Sequence, residues 1–213
     1  MSSTIDDKLA SALAIAIAQQ PRANLQQIAK RAGISKATLY RIAPTREGLI
    51  DLLMERAADH LQEALVKADL AEPPFDAALS RLTTNVIRGG AFYLFWHAAQ
   101  WVRMLDMPDD ADESLMPSFY GEALEEFFLR GQRAGVFRID MPAKWLVKSY
   151  DYLLYAAVES AHSGAIATLG MAAMVEKTFL SGVQETPPNT SGKSKTSVKI
   201  RSGTWTKKTG RRG

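Results

Sequence analysis

The sequence of 213 residues contains no cysteine, which excludes disulfide bonds and thiolate metal sites. Its three histidines, His60, His97 and His162, are too widely spaced to form a metal-binding motif. It has neither a Gly-rich phosphate loop nor a nucleophile elbow. No apolar run approaches the roughly 20 residues of a membrane span, and the acidic start does not resemble a signal peptide. These absences argue against an enzyme and favour a cytoplasmic protein that needs no metal or cofactor.

Acidic residues are absent from two segments of the chain. Residues 20–46 hold six cations and no acid, and these cations are Arg22, Lys30, Arg31, Lys36, Arg41 and Arg46. Residues 186–213 hold cations only, at Lys193, Lys195, Lys199, Arg201, Lys207, Lys208, Arg211 and Arg212. The region between them, residues 47–185, contains every acid except Asp6 and Asp7. A basic head on an acidic body indicates a polyanionic partner at the head, and DNA is the obvious candidate.

Residues 24–47 carry the signals of two short helices joined by a tight turn. The apolar positions of the first helix share one face, at Leu25, Ile28, Ala29 and Ala32. Asn24 and Ser35 are placed to cap the first helix and a second helix over residues 36–42. Gly33 supplies the positive φ that the chain needs to leave the first helix. The pattern therefore predicts a helix-turn-helix.

This segment resembles the DNA-binding domain of the TetR family of bacterial repressors. The family pattern is roughly I-A-x-x-A-G-[VI]-S-x-x-x-[LI]-Y-x-[YH]-F-x-[ST]-K-E-x-L. The matching residues here are Ile28, Ala29, Ala32, Gly33, Ile34, Ser35, Leu39, Tyr40, Thr45, Arg46, Glu47 and Leu49. The departures are Ile42-Ala43 for an aromatic pair, Gln19-Gln20-Pro21 for a Gly-containing turn, and Arg46 for Lys. The resemblance covers about residues 5–65.

The resemblance implies that the second short helix enters the major groove of DNA. The predicted DNA-binding residues are Asn24, Lys30, Ser35, Lys36, Ala37, Thr38, Tyr40, Arg41 and Arg46. Among these, Lys36, Thr38 and Arg41 are expected to reach base edges, and Ala37 to make an apolar contact. Phosphate contacts are expected from Asn24, Lys30, Tyr40 and Arg46.

Helical periodicity and Pro and Gly breaks predict an all-α fold for the rest of the chain. Helices are expected over residues 5–19, 46–68, 75–88, 91–105, 115–134, 143–163 and 166–182. We divide the chain into a three-helix DNA-binding head, residues 1–46, and a helical effector-binding and dimerisation body, residues 47–185. Residues 186–213 form a basic tail whose composition predicts disorder, and it is either inert or adds non-specific phosphate binding. The acidic segment 107–114 lacks the glycine and distal glutamate of a calcium loop, so a solvated loop is favoured.

The body contains more large side chains than a tight bundle needs, which indicates a largely apolar effector pocket. The predicted pocket residues are Phe92, Trp96, His97, Gln100, Met104, Phe119, Phe127, Tyr150 and Tyr155. Ordinary core packing is the alternative for each of them. The resemblance further implies that the last two helices form a four-helix bundle with a second copy. The predicted dimer-interface residues are Leu153, Ala157, Ala161, Leu169 and Ala173.

The sequence therefore predicts a ligand-responsive transcriptional regulator associated with the nucleoid. It would bind a palindromic double-stranded DNA operator as a homodimer, and a small, largely apolar effector would release it. The alternative is an architectural or adaptor DNA-binding protein without small-molecule control. Activation in place of repression also remains open.

Overall fold

The computed structural model describes residues 5–106 and 116–184, which fold into nine α-helices. The helices are α1 (Asp7–Gln19), α2 (Leu25–Arg31), α3 (Lys36–Ile42), α4 (Arg46–Ala68), α5 (Phe75–Arg88), α6 (Gly90–Asp106), α7 (Ser118–Arg133), α8 (Ala143–His162) and α9 (Met171–Val183). The all-α expectation is confirmed. The acidic segment 107–114 and the basic tail 186–213 lie outside the described residues. Within the described ranges, no helix combines the length and apolarity needed to cross a membrane.

The helix-turn-helix forms through the local signals that the sequence carries. Asn24 accepts a hydrogen bond from the backbone N–H of Gln27, and the Gln27 side chain accepts one from the Asn24 N–H, which makes a capping box. Ser35 caps α3 through the N–H of Thr38. The turn between the helices passes through Gly33 at φ 70°, where a side chain would be strained.

Three helices begin later than the periodicity predicts. The first, α1, begins at Asp7 and not at Ile5, because Asp6 is its N-cap. In the other two a backbone constraint explains the difference. The start of α7 is Ser118, not Leu115, because Pro117 disfavours helical geometry at the residue before it. The start of α9 is Met171, not Ile166, because Gly170 takes φ 80° in the left-handed region. Leu169 therefore lies in the loop before α9.

A first apolar cluster, the head cluster, joins the helix-turn-helix to the body. It combines side chains of α1 to α4 with three rings at the start of α6, and its larger members are Leu13, Ile17, Ile28, Leu39, Leu49, Leu53, Phe92, Phe95 and Trp96. The α1 helix packs along α6 more extensively than any other pair of described helices packs together. The head is thus held by two connections, the continuous α4 helix and the contact of α1 with α6.

A second apolar cluster, the body cluster, fills the space between α5, α7, α8 and α9. Its centre consists of aromatic rings, in which the Phe128 centroid lies 5.3 Å from that of Phe137 and 5.6 Å from that of Phe179. Gly131 of α7 permits this packing, because an added β-carbon would lie 2.2 Å from Cδ2 of Phe137.

This close approach predicts that Gly131→Ala destabilises the protein. We expect the free energy of unfolding to fall by about 1–3 kcal/mol, since Phe137 is fully buried and cannot move away. Gly121→Ala is the matched control on α7, where the new β-carbon meets Met116 Sδ at an ordinary 3.4 Å. Gly121→Ala should raise the free energy of unfolding by up to about 1 kcal/mol, because alanine has a higher helix propensity than glycine. Urea unfolding of both variants measures the difference, and equal stabilities would contradict this account of the core.

Candidate functional site

The outer face of α3 presents side chains to solvent while Leu39 anchors the helix in the head cluster. Lys36, Ala37 and Arg41 are exposed, and Tyr40 is 44% exposed. The Thr38 hydroxyl is half-buried and lies 2.9 Å from the Ser35 hydroxyl. A short helix that is anchored on one side and open on the other has the form needed to enter a groove.

The cations of the head divide into two groups by their partners. Arg22 forms an exposed ion pair with Asp106 at 2.8 Å, and Arg31 donates to the side chain of Gln20. In contrast, Lys30, Lys36 and Arg41 make no hydrogen bond or ion pair with any described residue, although Lys36 Nζ lies 5.3 Å from the Tyr40 ring centroid. These three cations on α2 and α3 define the basic face available to a polyanion.

The orientation of Arg46 differs most clearly from its predicted role as a phosphate contact. Its guanidinium is half-buried and turned inward, where Nε donates to the carbonyl of Ala23 at 3.2 Å and Nη2 donates to the carbonyl of Pro21. Arg46 therefore fastens the connection between α1 and α2 to the start of α4. The polar oxygens of Asn24 and Ser35 are likewise used within the chain as helix caps.

The predicted pocket residues do not enclose one pocket. Phe127 and Tyr150 are fully buried in the body cluster, so ordinary core packing describes them. Phe92 and Trp96 belong to the head cluster at the contact between α6 and α1. Phe119 and Met104 are half-buried. Phe119 packs on the body cluster, and Met104 lies near the end of α6.

The remaining three predicted pocket residues line two cavities on opposite sides of the second half of α6. His97 and Tyr155 line one of about 310 Å³, which we call the aromatic cavity, together with Ala18, Pro21, Ala98, Trp101 and Tyr152. Gln100 lines the other, of about 400 Å³, which we call the hinge cavity because α1, α4 and α6 meet there. Pro21 contributes to both cavities.

A third cavity, of about 330 Å³, is polar and lies between α1, α4, α5 and the start of α6. Ionisable side chains dominate its lining, and they are Asp7, Arg56, Asp59, His60, Glu63, Lys67 and Arg88. His60 is packed against Gly89, and this burial lowers its pKa, which favours the neutral imidazole. A neutral, hydrogen-bonded His60 serves the packing of α4 on α5.

Three polar side chains meet beneath the aromatic cavity. The Tyr93 hydroxyl donates to the carboxylate of Asp151, which is 1% exposed. Burial raises the pKa of Tyr93, and the nearby negative charge of Asp151 raises it further, so Tyr93 stays a protonated donor. His97 Nε2 lies 3.4 Å from the same carboxylate but is not aligned for a hydrogen bond. The rings of Tyr93 and Tyr155 flank the imidazole, with centroids 4.8 and 4.9 Å away.

The predicted dimer-interface residues also divide by exposure. Leu169 is 93% exposed and Ala173 is exposed, while Leu153 and Ala161 are half-buried. Ala157 is only 4% exposed because it packs into the body cluster of its own chain. It therefore has almost no surface to offer a partner, unlike the other four.

Sequence reasoning missed several residues of these sites. Ala18, Pro21 and Tyr152 line the aromatic cavity, and Asp151 lies beneath it, yet none was predicted as a pocket residue. A single acid within the apolar stripe of α8 was the available signal for Asp151. Nothing in the local pattern indicates the other three, because they meet only when α1 and α8 both pack against α6.

Comparison with known proteins finds relatives along most of the chain. It is 35% identical over 177 residues to the HTH-type transcriptional regulator NfxB of Pseudomonas aeruginosa, which covers 83% of this chain and 93% of NfxB. It is 29% identical over 152 residues to the HTH-type transcriptional repressor LfrR of Mycolicibacterium smegmatis, covering 70% of this chain and 75% of LfrR. No family model matches the sequence.

Solved structures agree with these relatives. The TetR-like regulator LfrR from Mycobacterium smegmatis matches with a TM-score of 0.62 at 24% identity, over 82% of this chain and 93% of that one. LfrR in complex with proflavine matches at 0.58 and 25% identity, with the same coverage. The ketosteroid regulator KstR2 of Mycobacterium tuberculosis shares the fold, with a TM-score of 0.66 at 15% identity over 87% of this chain and 98% of KstR2.

The inward orientation of Arg46 generates a prediction that separates a structural role from phosphate contact. Arg46→Gln should lower the free energy of unfolding by about 1–3 kcal/mol, since two carbonyls lose a charged donor. Lys30→Gln is the matched control, because Lys30 is exposed and makes no hydrogen bond or ion pair with the described residues. It should leave stability unchanged and reduce the salt dependence of DNA binding by about one phosphate contact.

Urea unfolding and binding titrations across a salt series measure both quantities for each variant. If Arg46→Gln changes the salt dependence and leaves the stability unchanged, then Arg46 contacts phosphate and its inward hydrogen bonds do not control its role.

Proposed function

The chain belongs to the TetR family of helix-turn-helix transcriptional regulators, and from this premise we propose that it represses transcription as an effector-released homodimer. Its site of action is chromosomal DNA, which places it in the cytoplasm with the nucleoid. Repression requires three properties, namely a surface that reads DNA, a dimer that sets the spacing of two such surfaces, and a cavity whose occupancy alters that spacing.

The exposed face of α3 is the observation that carries the proposal. Lys36 and Arg41 extend from an anchored helix and have no ion-pair partner among the described residues. In a major groove, both side chains prefer guanine, and Ala37 lies beside them for an apolar contact. Lys30 and Tyr40 are exposed at the margins of this face, where they serve as phosphate contacts.

The surface of α8, α9 and the loop between them supports a homodimer. Four of the exposed large apolar side chains are found there, at Trp145, Tyr152, Leu169 and Met174. Apolar groups in such number on a water-exposed surface are expected where a partner covers them. A two-fold pair of this surface forms a four-helix bundle and sets two α3 helices at a fixed spacing, so the operator is palindromic.

The effector is a small, largely apolar molecule that binds next to α6. The two cavities on either side of α6 have volumes in the lower part of the roughly 300–1,000 Å³ range of small-molecule sites. The crystal structure of the similar regulator LfrR in complex with proflavine supports the binding of a small-molecule effector. A coupling of about 1–3 kcal/mol between effector and operator sites would change operator affinity by about 5- to 150-fold.

The test of this function is footprinting on the DNA that flanks the protein's own gene, followed by gel shifts with a library of apolar compounds. We expect protection of a few palindromic sites, and loss of the shift with at least one compound. Broad protection without sequence preference and with a steep salt dependence would instead identify an architectural DNA-binding protein. The absence of any sequence-specific shift would remove the regulator function.

The proposed interface predicts that Ala173→Arg disrupts the dimer. A charge introduced twice across a two-fold interface should raise the dimer dissociation constant by about tenfold or more. Val66→Arg is the control, because Val66 is 70% exposed on α4 and lies outside the proposed interface. Sedimentation equilibrium and operator titration measure both variants. A dimer unaffected by Ala173→Arg would place the interface elsewhere.

A further inference from the structure

Thr38 lies in the first turn of α3, at one edge of the face that this helix turns to solvent. Successive residues of an α-helix are about 100° apart around its axis, and Leu39 marks the inward direction because it is fully buried. Ala37 and Arg41 therefore point outward, and both are exposed. Thr38 is half-buried at one edge of this outward face, and Tyr40 lies at the opposite edge. A helix that enters a groove with this face brings Thr38 close to the bases.

The hydroxyl of Thr38 is held by the residue that caps the same helix. Ser35 Oγ lies 2.9 Å from Thr38 Oγ1 and accepts a hydrogen bond from the Thr38 backbone N–H at 3.0 Å. The hydroxyl and the methyl group are branches of one β-carbon, so a contact that fixes the hydroxyl also fixes χ1 and the position of the methyl group. A hydrogen bond from Thr38 to a base would compete with Ser35, whereas an apolar contact of the methyl group would not.

The long side chain of the first turn, Lys36, extends away from Thr38. Its Nζ lies 5.3 Å from the ring centroid of Tyr40, so it follows the opposite edge of the outward face. Ala37, which is next to Thr38, is exposed and ends at its β-carbon. The first turn of α3 therefore carries two small apolar groups, the methyl groups of Ala37 and Thr38, close to each other.

These observations specify the chemistry of one base in the operator, and the inference rests on the DNA-reading function proposed above. We propose that Thr38 is a specificity-determining residue that recognises thymine through a contact between its own methyl group and the thymine 5-methyl group. Among the DNA bases, thymine alone presents a methyl group in the major groove. Since the Thr38 rotamer is already fixed by Ser35, this contact costs little further side-chain entropy. Each half-site of the operator therefore contains a thymine whose methyl group is needed for full affinity.

The test removes the two methyl groups separately, one from the protein and one from the DNA. The operator is found by footprinting, and each symmetry-related pair of thymines in its half-sites is then replaced by uracil, which differs only in lacking the 5-methyl group. The wild-type chain should lose about tenfold in affinity at one such pair, because two apolar contacts are lost. Thr38→Ser should bind the thymine operator about tenfold more weakly, and uracil at that pair should change its affinity by less than about twofold.

Two further variants separate the methyl group from the hydroxyl and from a general effect of the substitution. Thr38→Val keeps a methyl group on the β-carbon and the backbone N–H that Ser35 caps, so uracil should still weaken its binding by about tenfold. Thr45→Ser is the matched control, since Thr45 caps α4 through a hydroxyl that serine retains. It should show the full effect of uracil. Thermal unfolding checks that every variant is folded.

The remaining outcomes overturn the proposal. If uracil weakens Thr38→Ser as strongly as the wild type and has no effect on Ala37→Gly, Ala37 is the residue that contacts the thymine. If Thr38→Val loses the operator and Thr38→Ser does not, the hydroxyl reads the base. An operator at which no uracil pair matters overturns the methyl contact and keeps the regulator function. A chain without any specific operator instead removes the regulator function, and this inference with it.

Discussion

The packing of α1 along α6 is the constraint on which the rest of the structure depends. The head cluster contains Leu13 and Ile17 from α1 and Phe95 and Trp96 from α6, and all four side chains are buried. Burying a side chain of this size contributes roughly 1.5–3 kcal/mol, so the contact is strong enough to fix the head on the body. A head held only by α4 could swing about one helix. A head held at α1 as well has a defined position, and a change in α6 is transmitted to it.

Arg46 links the position of the head on the body to the orientation of α3. Its guanidinium joins the carbonyls of Pro21 and Ala23 to the first turn of α4, so the end of α1, the start of α2 and the start of α4 form one unit. The capping box at Asn24 and the cap at Ser35 then fix α2 and α3 on that unit. Contacts at the end of α1 and the start of α4 therefore set the orientation of the exposed cations on α3. A lysine at this position, which the family pattern usually has, would make a different contact, because only Arg offers two separated N–H donors.

The sequence predicts well what depends on neighbours along the chain and poorly what depends on neighbours in space. The caps at Asn24, Ser35 and Thr45, the turn at Gly33 and most helix boundaries follow from local backbone chemistry. Phe127 and Phe92 both lie on the apolar face of a helix, yet one fills the body cluster and the other the head cluster. No periodicity distinguishes those two outcomes, since each helix presents an apolar face in either case. Of the residues that line the aromatic cavity, only His97 and Tyr155 were predicted, for the same reason, since its walls come from α1, α6 and α8.

Unsatisfied buried polar atoms are concentrated on α6, the helix that positions the head. Among the described residues, the buried side-chain atoms without a hydrogen-bond partner are Trp96 Nε1, His97 Nε2 and Tyr120 Oη, and two of these are adjacent on α6. A buried polar atom left without a hydrogen bond costs about 1–3 kcal/mol of stability. Any rearrangement of α6 that pairs one of these atoms would also alter the packing of α6 on α1, on which the position of the head depends.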